Sequence, residues 1–162
     1  MQATRETPED GWEVEALMDL CFAPGRTALS SYRLRDGVAP AAALCLTARD
    51  PAAAGGALAG AVRFWPVRVA GARAWDAMLL GPIAVHPTRQ GEGIGGFLIR
   101  EGLARARDAG VARVLLVGDA PYYSRFGFAR LEGVEMPPPT NPARVLGHGD
   151  WAGVAGKVVR AA

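Results

Sequence analysis

Apolar residues recur along this chain with two different periods, and the switches between them lay out its elements. Val14, Leu17, Met18 and Leu20 to Phe22 repeat at helical spacing. They follow Thr7-Pro8-Glu9-Asp10, which supplies a capping side chain, a Pro suited to a first turn, and acids that complement the helix dipole. A helix is expected from there to Pro24-Gly25, with a second short helical stretch from Thr27 to Arg35, so two α-elements precede the first clear strand. Ala41 to Ala48 and Leu58 to Val69 read as a hairpin across the turn-rich Asp50-Pro51 to Gly55-Gly56 segment, and Gly71 ends its second strand. Trp75 to Val85 is a third extended run. Gly81-Pro82 interrupts it, and because Pro cannot donate to a ladder the break predicts a bulge or a splayed strand.

The helical period is clearest from Gly95 to Ala109. Leu98, Ile99, Leu103 and Ala106 share a face, Arg100, Glu101, Arg105 and Asp108 lie elsewhere, and Gly110 stands where a C-terminal cap belongs. Val114 to Val117 is a short, wholly apolar strand, followed by Gly118-Asp119-Ala120-Pro121, a helical turn through Tyr122 to Arg125, and the Gly127-Phe128 turn. The order strand, helix, strand, helix predicts an α/β fold with a parallel pair at the centre of a mixed sheet. Met136 to Asn141 is a Pro-rich loop and Trp151 to Val159 a closing strand. With 162 residues, no repeat and no linker, the chain reads as one domain over 1–162.

Composition changes this picture mainly by exclusion. Half the residues are hydrophobic and 21% are charged, which suits a globular domain. The longest weakly polar run, Ala77 to Val85, is far short of the roughly 20 residues that cross a bilayer. The N-terminal MQATRETPEDG has no apolar leader core, so a cytoplasmic location is expected, with no membrane partner. A net charge of +2 spread without a basic stripe argues against nucleic acid. Seventeen of eighteen basic residues are Arg, with Lys157 the single Lys, a bias that accompanies heavy Ala and Gly usage. Cys21 and Cys45 sit in apolar runs and read as core, His86 and His148 as loop histidines, and no ligand set for a metal is present. The four Trp residues read as core or interface.

The candidate chemistry lies at the junction of the third strand and the strongest helix. Gly91, Gly93, Gly95 and Gly96 crowd this turn, where backbone can approach a ligand and first-turn N–H groups have no intrahelical partners. An anion, above all a phosphate or pyrophosphate, suits such a turn, with Arg89 or Gln90 at its rim. The competing reading is a turn that only packs helix on strand. Gly91, Gly93 and Gly96 also meet the loose dinucleotide spacing, yet the turn lies past mid-chain and the region near Val111 is apolar, which disfavours nicotinamide. Phe97 after Gly96 excludes a P-loop.

The run Val85-His86-Pro87-Thr88-Arg89-Gln90-Gly91-Glu92-Gly93-Ile94-Gly95 resembles the acetyl-CoA signature of the GNAT N-acetyltransferase superfamily, Gln90, Gly93 and Gly95 holding its defining positions. Tyr122-Tyr123-Ser124-Arg125-Phe126-Gly127-Phe128 resembles that superfamily's Tyr-containing helix and following Gly-Phe turn. Leu80 to Val85 taken with Gly118 to Tyr123 is similar to the YhbS-like branch, and the resemblance is strong over residues 79 to 128.

The resemblance implies a GNAT-like mixed central sheet with splayed parallel strands flanked by helices, and transfer of an acetyl group from acetyl-CoA to a primary amine of a small molecule or peptide. Ile83, Ala84 and Val85 would bond the pantetheine arm through backbone groups. The Ile83 N–H is the candidate oxyanion donor. Gly91, Glu92, Gly93, Ile94, Gly95 and Gly96 would hold the pyrophosphate, with Arg89, Gln90 and Arg125 near it. Tyr123 matches the general acid that protonates the departing sulfur; a ring packed under the cleft with its hydroxyl bonded to backbone is the alternative, and for Tyr122 packing is the preferred reading. Many relatives carry a Glu on the strand before the Tyr helix, whereas Val114 to Val117 holds no ionisable group. Asp76, Asp119 and Glu92 remain as nearby carboxylates, Asp76 being the one put forward as a base. That departure motivates a second reading, a non-catalytic acyl-CoA sensor. The acceptor pocket would be built by the first two helices and the loops near Val69 and Pro137, and a homodimer is an open option.

Overall fold

The computed structural model describes residues 1–22, 30–53 and 56–161. The expected start of the second helical stretch at Thr27 and the turn residue Gly55 lie outside them. The elements are β1 (Gln2–Arg5), α1 (Gly11–Phe22), α2 (Ser30–Arg33), β2 (Leu46–Arg49), β3 (Leu58–Ala70), β4 (Ala74–Val85), α3 (Ile94–Asp108), β5 (Arg113–Val117), α4 (Ala120–Tyr123), β6 (Ala129–Arg130), β7 (Val134–Glu135), β8 (Val145–Gly149) and β9 (Gly156–Arg160). One mixed sheet runs β1-β2-β3-β4-β5-β8-β6, and β9 joins it against the far end of β3 and against β7. The expected mixed sheet with a central parallel pair is present as β4 and β5.

The central strands read as unbroken apolar runs because both sheet faces are covered. Leu80, Val114 and Leu116 point into the cluster that α3 closes with Leu98 and Ile99. Leu79 and Leu115 point the other way, towards Val67, Val69, Val158 and Met136. On α1, Val14, Leu17 and Met18 cover Leu58, Ala61 and Ala84. Ion pairs fasten the start of the chain to the sheet. Arg63 binds Glu6 at 2.7 Å and Glu15 at 2.6 Å, while Arg49 binds Asp10 at 2.8 Å and Glu13 at 2.7 Å. Asp10 also accepts from the Thr7 backbone N–H at 2.8 Å, and this bond with Arg49 holds its carboxyl below the usual range.

Several expectations are corrected. A strand, β1, precedes the helices and pairs antiparallel with β2. Its sequence Gln2-Ala3-Thr4-Arg5 lacks apolar alternation because it is a mostly exposed edge, held by the ladder rather than by burial. The hairpin strand expected from Ala41 begins only at Leu46, after a 3-10 turn over Ala42–Leu44. The closing strand starts at Gly156 rather than Trp151, and β8, which flanks β5, was not foreseen in a segment with two glycines. Cys45 is buried as expected but Cys21 is only half-buried, and Trp12, at 76% exposed, belongs to no core. None of the described helices is long and apolar enough to cross a membrane.

The helix that carries the candidate turn seats on the sheet through a residue without a side chain. A Cβ on Gly102 would lie 2.7 Å from Phe64 Cε1 and 2.8 Å from its Cζ, deep in the α3 core. Gly102→Ala is therefore expected to destabilise the fold by about 1–3 kcal/mol through overpacking, lowering the thermal midpoint by roughly 2–4 °C per kcal/mol. A thermal melt followed by circular dichroism checks this; an unchanged midpoint would contradict so close a seat.

Candidate active site

β4 and β5 share only two ladder positions, Met78 with Val114 and Leu79 with Leu115. Beyond them β4 shifts register against β3 between Val62 and Phe64, at the Gly81-Pro82 break, and runs on to Val85 without β5 beside it. The expected splay is thus present. Backbone direction follows from alternation: the His86 N–H donates to Ala59 O on β3, so Ala84 also faces β3, while Ile83 and Val85 turn their N–H and C=O to the cleft. Cys21 Sγ lies 3.3 Å from Val85 O on that open side, which agrees. Of the three residues expected to offer backbone groups to an arm, Ile83 and Val85 turn theirs to the cleft, and Ala84 turns its own to the neighbouring strand.

Past β4 the chain makes a 3-10 turn over Pro87–Arg89, capped by His86, whose Nδ1 accepts from the Thr88 N–H at 3.2 Å. Gly91 and Gly93 then take φ values of +84° and +80°, a region costly for residues with a Cβ, and α3 begins at Ile94. The Phe97 N–H donates to Gly93 O at 3.0 Å, leaving the first-turn N–H groups of Ile94, Gly95 and Gly96 to face outward. They line a hollow of about 410 Å³ with Gln90, Arg89 and Arg125. Arg89 is pinned by Glu92 at 2.9 Å and Asp50 at 3.2 Å, so its charge is largely matched, and Glu92 serves that pair rather than the hollow. Arg100 lines the same hollow, its guanidinium 5.0 Å over the Phe126 ring. Sequence reasoning assigned it to the outer face of the helix; its position one turn after Gly96 was the available signal.

Two further hollows continue this one. About 300 Å³ is bounded by Ile83, Ala84, Val85, Gln90, Gly95, Tyr122 and Tyr123, and about 310 Å³ by Pro82, Ile83, Tyr32, Arg35, Leu116 and Tyr123. Shared walls make a single groove: Val85, Gln90, Gly95 and Tyr122 join the first pair of hollows, Phe22, Ile83 and Tyr123 the second. No Asp or Glu among the described residues lines any of the three, whereas Arg35, Arg89, Arg100 and Arg125 do. A further hollow of about 490 Å³ lies apart from this groove between β7, β9 and the loop at Pro137, so that loop does not wall the cleft.

Tyr123 stands where the groove passes from one hollow to the next. Its ring packs at 5.0 Å from Tyr122 and 5.9 Å from Phe128, and among the described residues its hydroxyl has no hydrogen-bond partner. Burial raises its pKa, assisted by Tyr122 and Asp119 and opposed by the charge of Arg144, so the phenol stays protonated at neutral pH. Tyr122 lies beneath Arg125, whose guanidinium is 5.1 Å from its ring. Asp119 precedes α4 with no side-chain capping bond. Asp76 is remote from the cleft, exposed and 3.4 Å from Arg68 on the hairpin end of β4. Among the described residues no group of three or more metal-ligating side chains comes together.

Gly118 decides where the Tyr123 ring sits, since a Cβ there would strike its edge, 2.8 Å from Cδ2. Gly118→Ala is expected to displace the ring and leave the glycine turn intact. The near-ultraviolet circular dichroism of the clustered Tyr122, Tyr123 and Phe128 rings should then change while the far-ultraviolet spectrum keeps its shape. An unchanged near-ultraviolet spectrum would show that the ring does not depend on Gly118.

A family model described as an acetyltransferase (GNAT) domain matches residues 5–131. The uncharacterised N-acetyltransferase YhbS of Escherichia coli K12 is 36% identical over 125 residues, 76% of this chain and 70% of that protein. The uncharacterised N-acetyltransferase YjhQ of the same organism is 46% identical over 55 residues, only 34% of this chain and 30% of that protein. Among solved structures, E. coli YhbS in complex with CoA superposes with a TM-score of 0.81 at 30% identity, covering 98% of this chain and 88% of that one. A GNAT acetyltransferase from Brucella melitensis in complex with acetyl-CoA gives 0.71 at 32% identity over 99% and 96%.

Proposed function

The chain belongs to the GNAT acetyltransferase family, and we propose that it moves the acetyl group of acetyl-CoA to the primary amine of a small molecule or peptide by direct attack, with Tyr123 as general acid. The observation that carries this is the continuity of the groove from the Gly93 helix mouth, past the cleft-facing backbone of Ile83 and Val85, to Tyr123. Binding of CoA and acetyl-CoA by the two structural relatives supports the donor. When bound, the donor supplies an acetyl thioester.

The chain's own groups then have separable tasks. The N–H groups of Ile94, Gly95 and Gly96 and the positive helix end hold a diphosphate, and Arg100 and Arg125 add charge at its edge. Val85 O and the Ile83 backbone orient the arm along β4, which requires Cys21 to release its contact with Val85 O. The Ile83 N–H faces the side of the cleft where negative charge develops on the acetyl oxygen. The Tyr123 phenol, protonated because it is buried, donates to the departing sulfur. No carboxylate of the described residues lines the groove, so the amine loses its proton through water or enters neutral. The lack of a carboxylate on strand β5 is also what favours the second reading, an acyl-CoA sensor without turnover.

One comparison separates the two. With a panel of primary amines in a CoA-release assay, Tyr123→Phe should lower kcat about a hundredfold with the acetyl-CoA dissociation constant unchanged. Binding with no release from any amine supports the sensor, and no calorimetric heat with acetyl-CoA at millimolar levels overturns both readings. The pH profile carries the sign of the phenol's shift. A raised folded pKa keeps the acid form below and through the ordinary tyrosine value of about 10, so turnover should rise towards the amine's own pKa with no descending limb below roughly pH 10.

A further inference from the structure

The hollow beyond Tyr123, where an acceptor would enter, is walled by Phe22, Leu79, Pro82, Ile83, Leu116 and Val117. Two of these walls are large apolar side chains left open to solvent: Phe22 at the end of α1 is 45% exposed, and Val117 at the end of β5 is 36% exposed. Apolar surface gathered around a concavity and left uncovered is surface that a ligand can cover. No Asp or Glu of the described residues lines the hollow. Its one lining cation among them, Arg35, is turned into the protein. It is only 9% exposed, its Nη2 donates to Gly81 O at 2.9 Å, and its Cζ lies 4.3 Å over the Tyr32 ring. A second charged group on an acceptor would therefore lose its water against hydrocarbon, whereas an apolar body would gain by entering.

Resting on the transfer reading above, we infer that this hollow takes a primary monoamine with a hydrocarbon body, an alkyl- or arylalkylamine whose nitrogen lies towards Tyr123 and whose chain lies towards Val117. Ile83 and Tyr123 line both this hollow and the one along β4, which fixes the end where the nitrogen must meet the donor; Leu116 and Val117 line this hollow alone of the three. A volume of about 310 Å³ is at the small end of ligand cavities, which run from roughly 300 to 1,000 Å³, and it suits a short chain or a single ring. Polyamines and amino acids are disfavoured by the same walls, because each would carry a further charge into them.

The test is a CoA-release assay on n-alkylamines of two to six carbons and on benzylamine, beside the diamines and ω-amino carboxylates of matching length. For wild type, kcat/KM should climb about fourfold per methylene until the hollow is filled, and the longer monoamines should exceed their diamine and amino-carboxylate counterparts by about tenfold or more. Val117→Asp should remove most of the gain with length and bring the diamine level with the monoamine or above it. Val117→Thr, of the same shape, should remove part of that gain, and it carries the test if the aspartate variant does not fold. Calorimetry with acetyl-CoA should give each variant an affinity within about threefold of wild type, since Val117 lines neither donor hollow. A kcat/KM that is flat with chain length, or a diamine or amino carboxylate used as well as the monoamine, overturns the inference. So does a loss in Val117→Thr that is equal for every chain length, which would make the position structural only.

If wild type binds acetyl-CoA yet acetylates none of the series, it is the transfer reading that fails. Titration of N-acetylalkylamines of the same lengths into CoA-loaded protein then reads the hollow directly. Affinity that rises with chain length in wild type and not in the Val117 variants sustains the inference; no binding by wild type, or binding indifferent to length, removes it.

Discussion

Everything at the site depends on two parallel strands parting company. β4 and β5 pair for two positions and then separate, because the Gly81-Pro82 step shifts the register of β4 and cannot offer a regular ladder to a neighbour. An unpaired strand edge inside a protein is costly unless something satisfies its N–H and C=O groups. Here Arg35 covers Gly81 O and Cys21 covers Val85 O, both side chains reaching into the gap. The open edge between them is what an extended amide-bearing arm can complete, so the same defect in the sheet is the proposed binding surface.

The electrostatics follow the same axis. Arginines mark the groove from the mouth of α3 to the bulge, while the carboxylates of this region are spent elsewhere: Glu92 and Asp50 on Arg89, Glu6 and Glu15 on Arg63. A cleft of one sign concentrates ligands of the other. That suits an anionic donor. The burial that keeps the Tyr123 phenol protonated fits it to give up a proton rather than to accept one, and no carboxylate of the described residues lines the groove.

Packing by absence recurs at the points that matter. Gly102 lets α3 settle on Phe64, and Gly118 leaves room for the Tyr123 ring at the end of β5. A single methyl group at either place would move a helix or a phenol by more than a hydrogen bond tolerates. Such positions carry no chemistry of their own and give no motif, yet they set the distances on which chemistry relies.

Periodicity and turn residues were enough to read α1, α3, the hairpin of β2 and β3, the broken strand β4 and the short strand β5, because each buries a face whose spacing is written locally. The glycine turn and the Tyr helix were legible for the same reason: φ above zero and a helix start are properties of a few consecutive residues. What the chain could not disclose by itself were elements and contacts held by distant partners. β1 is polar and exists because β2 offers a ladder; β8 is half glycine in appearance and exists because β5 needs a second neighbour. Nothing in the local sequence marks Arg35 or Arg100 for the cleft, and folding places one against the bulge and the other across the helix mouth. Local conformation is decided by neighbours in sequence, but burial and charge environment are decided by neighbours in space, and only the tertiary structure brings those together.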